Sequence, residues 1–236
     1  MKTVSLLLMA LAAFSCGSDD KETTAFQGRL LKHVTVDANY DDLDEQLDFT
    51  YDSRNRIDKI VLAGNVDDTF TYSYNNRDQV TAISKLNGDD LTFEYDNDGR
   101  LSKYTEGNLD HEVTYNAATA SYEILGNQFV LKENGDILSE SGKVYGYDTF
   151  NSHALKGPLR DVAGNSYQLT TYIAYYDGII IMAKDAFNGR NLPGNPNDAT
   201  NFSFTNSYDY EDYRVGSQYS TYGVNYVYSY EYFDNQ

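Results

Sequence analysis

The residues that could do chemistry are three histidines, one cysteine, many carboxylates and 23 tyrosines. His33, His111 and His153 show no metal-ligand spacing. His111 lies in a strand-like stretch and reads as a solvated face residue. Acidic runs at Asp41, Asp42, Asp44 and Glu45, at Asp67 and Asp68, and at Asp89 and Asp90 read as solvated turns. Weak calcium binding is their alternative. Asp96, Asn97, Asp98 and Gly99 begin like a calcium loop but lack its later acidic ligands, so they also read as a turn. Two carboxylates could serve a glycosidase, yet the chain has too many to single out a pair. A glycine-rich phosphate loop is absent. No catalytic residue, metal site or cofactor is therefore assigned, and the chain is expected not to be an enzyme.

The tyrosines form the other chemical feature. A dense set lies near the C-terminus, and Tyr226, Tyr228, Tyr230 and Tyr232 occupy alternate positions, hence one face of a strand. Two readings are open. The set is a core or cross-strand ladder, or it is an exposed platform holding a sugar or peptide. The second reading makes these four the candidate ligand contacts.

The elements that must position these residues are strands. Leu47, Phe49 and Tyr51 alternate with polar residues, as do Phe70, Tyr72 and Tyr74, and Leu91, Phe93 and Tyr95. Period two with one apolar face means a half-buried strand. Each strand runs into Asn, Asp and Gly, which make tight turns. Segments 49–57, 72–80 and 93–101 align with one another, and their tyrosines Tyr51, Tyr74 and Tyr95 are 23 and 21 residues apart. A period of about 22 residues holds two strands of about 5–6 residues and two turns. Weaker copies follow at residues 115–116 and 131–137. Ile57 and Ile60, Val80 and Ile83, and Leu101 and Tyr104 are each three apart, which breaks strand alternation and predicts a bulge after each turn.

Further strands are expected over residues 167–176, 178–182, 201–210 and 222–233, with a loop over 188–199 and no helix in the mature chain. The fold class expected is all-β: an antiparallel meander of tandem β-hairpins rolled into a barrel-like or strongly curved sheet, since many twisted strands rarely stay flat. Residues 27–236 are expected to form one domain. A transmembrane barrel is disfavoured, because Phe233 is followed by Asp234, Asn235 and Gln236 and one strand face is heavily charged.

A formal net charge of −18 argues against nucleic acid as a partner and against electrostatic attachment to anionic lipid. Residues 1–15 read as a secretory signal: Lys2, then an apolar stretch over 4–14 too short to span a bilayer. Ala13, Phe14, Ser15 and Cys16 resemble a lipobox, although Ala13 stands where Leu is usual. The resemblance implies a diacylated Cys16, with residues 16–26 as a lipidated flexible tether. The alternative is an ordinary signal peptide in which Cys16 is incidental. Gly17, Ser18, Asp19 and Asp20 resemble the acidic export signal of Bacteroidetes lipoproteins, which implies the outer membrane and its exterior face.

The pattern Tyr-Asp-x-x-Gly-Arg-Leu over residues 95–101 resembles the YD repeats of Rhs and teneurin-type proteins. Together with the lipobox it resembles a Bacteroidetes lipoprotein family described as porin-like. The resemblance covers roughly residues 28–150. The toxin-enclosing role of Rhs shells does not carry over, because so few repeats cannot close a chamber. A glycan-, peptide- or protein-binding module is the function expected, with a structural or assembly scaffold as the alternative.

Overall fold

The computed structural model describes residues 28–39, 44–64, 67–131, 137–144, 146–147, 149–150, 153–163, 167–174, 190–191, 203–221 and 224–234. The strands expected in the repeats are present. They are β1 (Leu31–Ala38), β2 (Glu45–Tyr51), β3 (Ile57–Gly64), β4 (Asp68–Tyr74), β5 (Val80–Lys85), β6 (Leu91–Tyr95), β7 (Leu101–Glu106) and β8 (Leu109–Glu112). A second run holds β9 (Thr114–Asn116), β10 (Ser121–Ile124), β11 (Asn127–Leu131), β12 (Ile137–Glu140) and β13 (Lys143–Val144). Short pieces follow: β14 (Gly146–Tyr147), β15 (Thr149–Phe150), β16 (His153–Ala154), α1 (Tyr167–Ala174) and β17 (Arg190–Asn191). Three long strands end the chain: β18 (Ser203–Tyr208), β19 (Arg214–Thr221) and β20 (Val224–Tyr232).

The principal sheet has eleven strands in the order β18-β19-β20-β1-β2-β3-β4-β5-β6-β7-β8, and all its pairs are antiparallel. The chain's first and last long strands therefore lie side by side, from Leu31 opposite Tyr232 to Ala38 opposite Tyr226. Strands β9 to β13 form a separate five-stranded meander. Alternation sets which face is hidden. Leu47, Phe49, Phe70, Tyr72, Leu91 and Phe93 are buried, while Asp48, Thr50, Thr71, Ser73, Thr92 and Glu94 face water.

The bulges expected from the three-residue spacing are there. Thr50 faces Lys59 but Tyr51 faces Ile57, so Asp58 is the extra residue. Thr81 and Ser102 are the extra residues at the two following turns. One inserted residue lets Ile57 and Ile60, Val80 and Ile83, and Leu101 and Tyr104 all bury their side chains on the same face.

Two expectations are corrected. Residues 167–174 are the helix α1, not a strand. Its Leu169, Thr170, Thr171, Ile173 and Ala174 are buried, which sets the helix into the core near β5. The sheet is also open rather than a closed barrel: its order ends at β18 and β8, and among the described residues no ladder joins them. The physical reason lies in the cover. Leu159, Leu169 and Ile173 belong to the same hydrophobic cluster as the sheet's buried face, so that face is hidden without the sheet closing on itself. The strand expected over 178–182 lies outside the described residues. So does most of the loop expected over 188–199, whose Arg190 and Asn191 pair with β14.

Candidate functional site

The densest chemistry gathers along one end of the principal sheet, where the repeat turns stand in a row. Each turn is built by an Asx side chain. Asp52 Oδ1 accepts from the backbone N–H of Arg54 (2.9 Å) and Arg56 (3.0 Å). Asn75 Oδ1 accepts from Arg77 (2.9 Å) and Gln79 (3.1 Å), and Asp96 Oδ1 from Asp98 (3.0 Å) and Arg100 (2.9 Å). Three residues after each Asx, Asn55, Asp78 and Gly99 take positive φ of 60°, 61° and 81°. This is why the turns use Asn, Asp and Gly there.

A fourth copy is present that the sequence reading did not find. Asp209 Oδ1 accepts from Glu211 N–H (2.9 Å) and Tyr213 N–H (3.0 Å), and Asp212 has φ 67°. A bulge follows, with Tyr208 facing Arg214 and Ser207 facing Gly216. The signal was a Tyr208-Asp209 pair with Asp212 three residues on. It was masked because Tyr213 stands in the arginine position and Arg214 in the aliphatic one. Arg214 is nevertheless fully buried, as are the aliphatic residues it replaces.

The repeat tyrosines fasten these turns to the sheet. Tyr51 Oη donates to the Leu31 carbonyl (2.7 Å), Tyr74 to Ile57 (2.5 Å), Tyr95 to Val80 (2.7 Å) and Tyr232 to Arg214 (2.6 Å). Every acceptor is the first residue of the neighbouring strand. The junction of the chain ends obeys the same rule. Phe233 N–H donates to Leu30 O (2.9 Å), just as Asp52 N–H donates to Arg56 O (2.9 Å). The ends thus meet as a repeat turn whose connection has been cut.

Charged side chains link neighbouring turns. Arg54 and Arg56 reach Asp78 at 2.6 Å and 2.9 Å, and Arg56 lies 4.4 Å over the Tyr74 ring. Gln79 Nε2 donates to Gly99 O (2.7 Å). Arg100 bonds Asp96 and Asp98 and lies 4.6 Å over Tyr115. At the chain ends Arg29 pairs with Asp209 and Glu211 and stacks on Tyr213 (5.0 Å) and Tyr232 (4.7 Å). Asp161 accepts from Arg29 N–H (2.9 Å) and from the Tyr213 hydroxyl. Lys156 Nζ lies 4.2 Å over the Tyr213 ring.

These contacts decide what the groups can do. Partial burial tends to raise the Asp52 carboxyl, but hydrogen bonds from the Arg56 side chain and from backbone N–H groups outweigh it and hold the group below its ordinary range. Asp96 is lowered too, by the Arg100 backbone N–H first; desolvation opposes it, and the Arg100 side chain and the Asp98 N–H add to the lowering. Tyr213 is raised by burial and by Asp161, and Tyr232 by burial above all. Carboxylates held ionised and phenols held neutral are poor proton shuttles near neutral pH. Their lone pairs and hydrogens are engaged by the chain itself.

The residues singled out by sequence fall elsewhere in part. Cys16 lies outside the described residues. Tyr228 and Tyr230 are 2% and 5% exposed and Tyr232 9%, so their rings are core, and only Tyr226 keeps a partly exposed one. The solvent face of β20 is instead Asn225, Val227, Ser229 and Glu231. His33 Nδ1 lies 2.7 Å from Asp48 Oδ1. His111 is not a freely solvated face residue: its ring stacks on Tyr104 at 4.5 Å, and its Nε2 is buried. His153 lies in β16. The acidic loops serve as caps. Asp68 Oδ1 accepts from Thr69 and Asn87 N–H, Asp90 from Lys85, and Asp44 from Ala38. Among the described residues no group of three or more His, Cys, Asp or Glu could hold a metal ion.

Residues 26–178 match the family model described as Teneurin YD-shell, which is well over half of the chain. The chain belongs to the Teneurin YD-shell family. The YD-shell match ends before β18 to β20, so the fourth turn lies beyond the matched residues. No curated protein matches the chain. Among solved structures it is similar to a porin-like protein from Bacteroides uniformis, at 13% identity and a TM-score of 0.45, covering 86% of this chain and 96% of that one.

Proposed function

We propose that this YD-shell protein is a lipid-anchored lipoprotein of the outer membrane, facing the exterior, that acts without catalysis as a structural or assembly scaffold. The carrying observation is the inward placement of its tyrosines. Tyr228, Tyr230 and Tyr232 are core, and the repeat hydroxyls are engaged by backbone carbonyls. A ladder of this kind favours a stiff body over a sugar-binding platform. The anchor is supported by a sole cysteine, Cys16, two residues after an apolar stretch over 4–14, and the exterior facing by Gly17, Ser18, Asp19 and Asp20. Residues 27–236 act as one unit in this reading.

A second reading, a binding module for a glycan, peptide or partner protein, is favoured by a few bare side chains. Tyr210 is 92% exposed at the turn end, and Leu86 and Leu109 are 71% and 67% exposed at the opposite end. Two measurements separate the readings. Cross-linking in intact cells is expected to capture a discrete envelope complex that Cys16→Ser abolishes by releasing the chain from the membrane. A glycan array probed with the residue 17–236 fragment is expected to stay blank. Specific glycan binding without any captured complex would reverse the choice.

A further inference from the structure

We propose that the row of repeat turns is the membrane-proximal end of the molecule and that the end carrying residues 67–68, 86–90 and 107–109 is the distal one. The inference rests on the lipid anchor proposed above and names the surface that faces the bilayer.

The point where the chain enters the body is fixed tightly. Arg29 is held by Asp209, Glu211 and Asp161, the Leu30 carbonyl by Phe233 N–H, and Leu31 is fully buried beneath the Tyr51 hydroxyl. All of these contacts lie at the turn end. Twelve residue steps separate Cys16 from Gly28. That number of steps reaches at most about 40 Å. Strands such as β20, with 9 residues, carry the opposite end about 25–30 Å further away.

Charge reinforces the connection. Arg54, Arg56, Arg77 and Arg100 intersperse the acids of the turn end. The opposite end bears Asp44, Glu45, Asp67, Asp68, Asp89, Asp90 and Glu106, with Lys85 as the nearby cation. Anionic headgroups repel that end and leave the turn end facing lipid. Leu86 and Leu109 then stand outermost, on hairpin tips linked by the Gly107 N–H to Asp90 carbonyl bond (3.0 Å).

The test uses the full mature chain, acylated in cells and reconstituted in vesicles of phosphatidylcholine and phosphatidylglycerol. Acylation consumes the thiol of Cys16, so Asn97→Cys at the turn end and Asn108→Cys at the other each carry one fluorescent donor. Both positions are exposed. An acceptor dye sits on the lipid. For a separation set by strands of about 3.3 Å per residue, transfer from position 97 is expected to be about twofold stronger than from position 108. Equal or reversed transfer on a chain shown by mass spectrometry to be acylated would overturn the orientation alone. A mature chain without an acyl group would overturn the anchor, and the orientation with it.

Discussion

Tyr232→Phe isolates the fastening rule at the junction of the chain ends. The substitution keeps the ring, and with it the Arg29 guanidinium over its face at 4.7 Å and the edge contact with Tyr213 at 5.3 Å. It deletes one hydrogen bond, 2.6 Å to the Arg214 carbonyl, in a buried setting. A net hydrogen bond contributes about 0.5–1.5 kcal/mol, and a buried acceptor stripped of its donor costs about 1–3 kcal/mol. The expected loss is therefore about 1–2 kcal/mol, at the upper end where no water reaches the carbonyl. Tyr95→Phe removes the same bond at a half-buried position. Water replaces the hydroxyl there, and the loss should be nearer 0.5 kcal/mol, roughly the lower bound for a net bond. Tyr210→Phe, on a bare side chain, should change nothing. Urea unfolding of the mature chain reads all three as midpoint shifts at constant slope. If Tyr232→Phe proves no more costly than Tyr210→Phe, the junction is not fastened as described.

Two further predictions concern the backbone and the phenols. Gly64 has φ +135°, and a Cβ there would sit 2.3 Å from the Asp44 carbonyl oxygen, whereas Gly126 has φ +75° and open space around it. Gly126→Ala should cost about 1–2 kcal/mol from backbone conformation alone, and Gly64→Ala distinctly more, ranked by thermal unfolding. In alkali, Tyr213 and Tyr232 ionise later than ordinary tyrosine, both raised chiefly by burial. A raised folded value means their contribution to stability is complete below the unfolded value near pH 10 and falls as pH rises above it. Ultraviolet titration should show these two buried phenols ionising only as the chain unfolds.

Much of the repeat geometry is legible in the sequence. Alternation at Leu47, Phe49 and Tyr51 shows the buried face, and the spacing of Ile57 and Ile60 shows the bulge, because both follow from the two-residue period of a strand. What the sequence conceals depends on distant partners. Tyr226 to Tyr232 alternate identically whether their face meets core or water, and the pairing of β20 with β1, some 190 residues apart, settles which. The helix α1 was hidden because Tyr, Thr and Ile favour strand locally, while packing of Leu169 and Ile173 into the core overrides that preference. The fourth turn was hidden by composition: a fully buried Arg214 takes a place that Ile57, Val80 and Leu101 hold elsewhere.

Tyrosine nitration of the folded mature chain, mapped by mass spectrometry, tests most directly whether the aromatic face is fastening or platform. Tyr210 should be modified first, while Tyr228, Tyr230 and Tyr232 stay unmodified until denaturant opens the sheet. Modification of Tyr228 and Tyr230 at the rate of Tyr210 in the native protein would contradict the scaffold and restore the ligand platform.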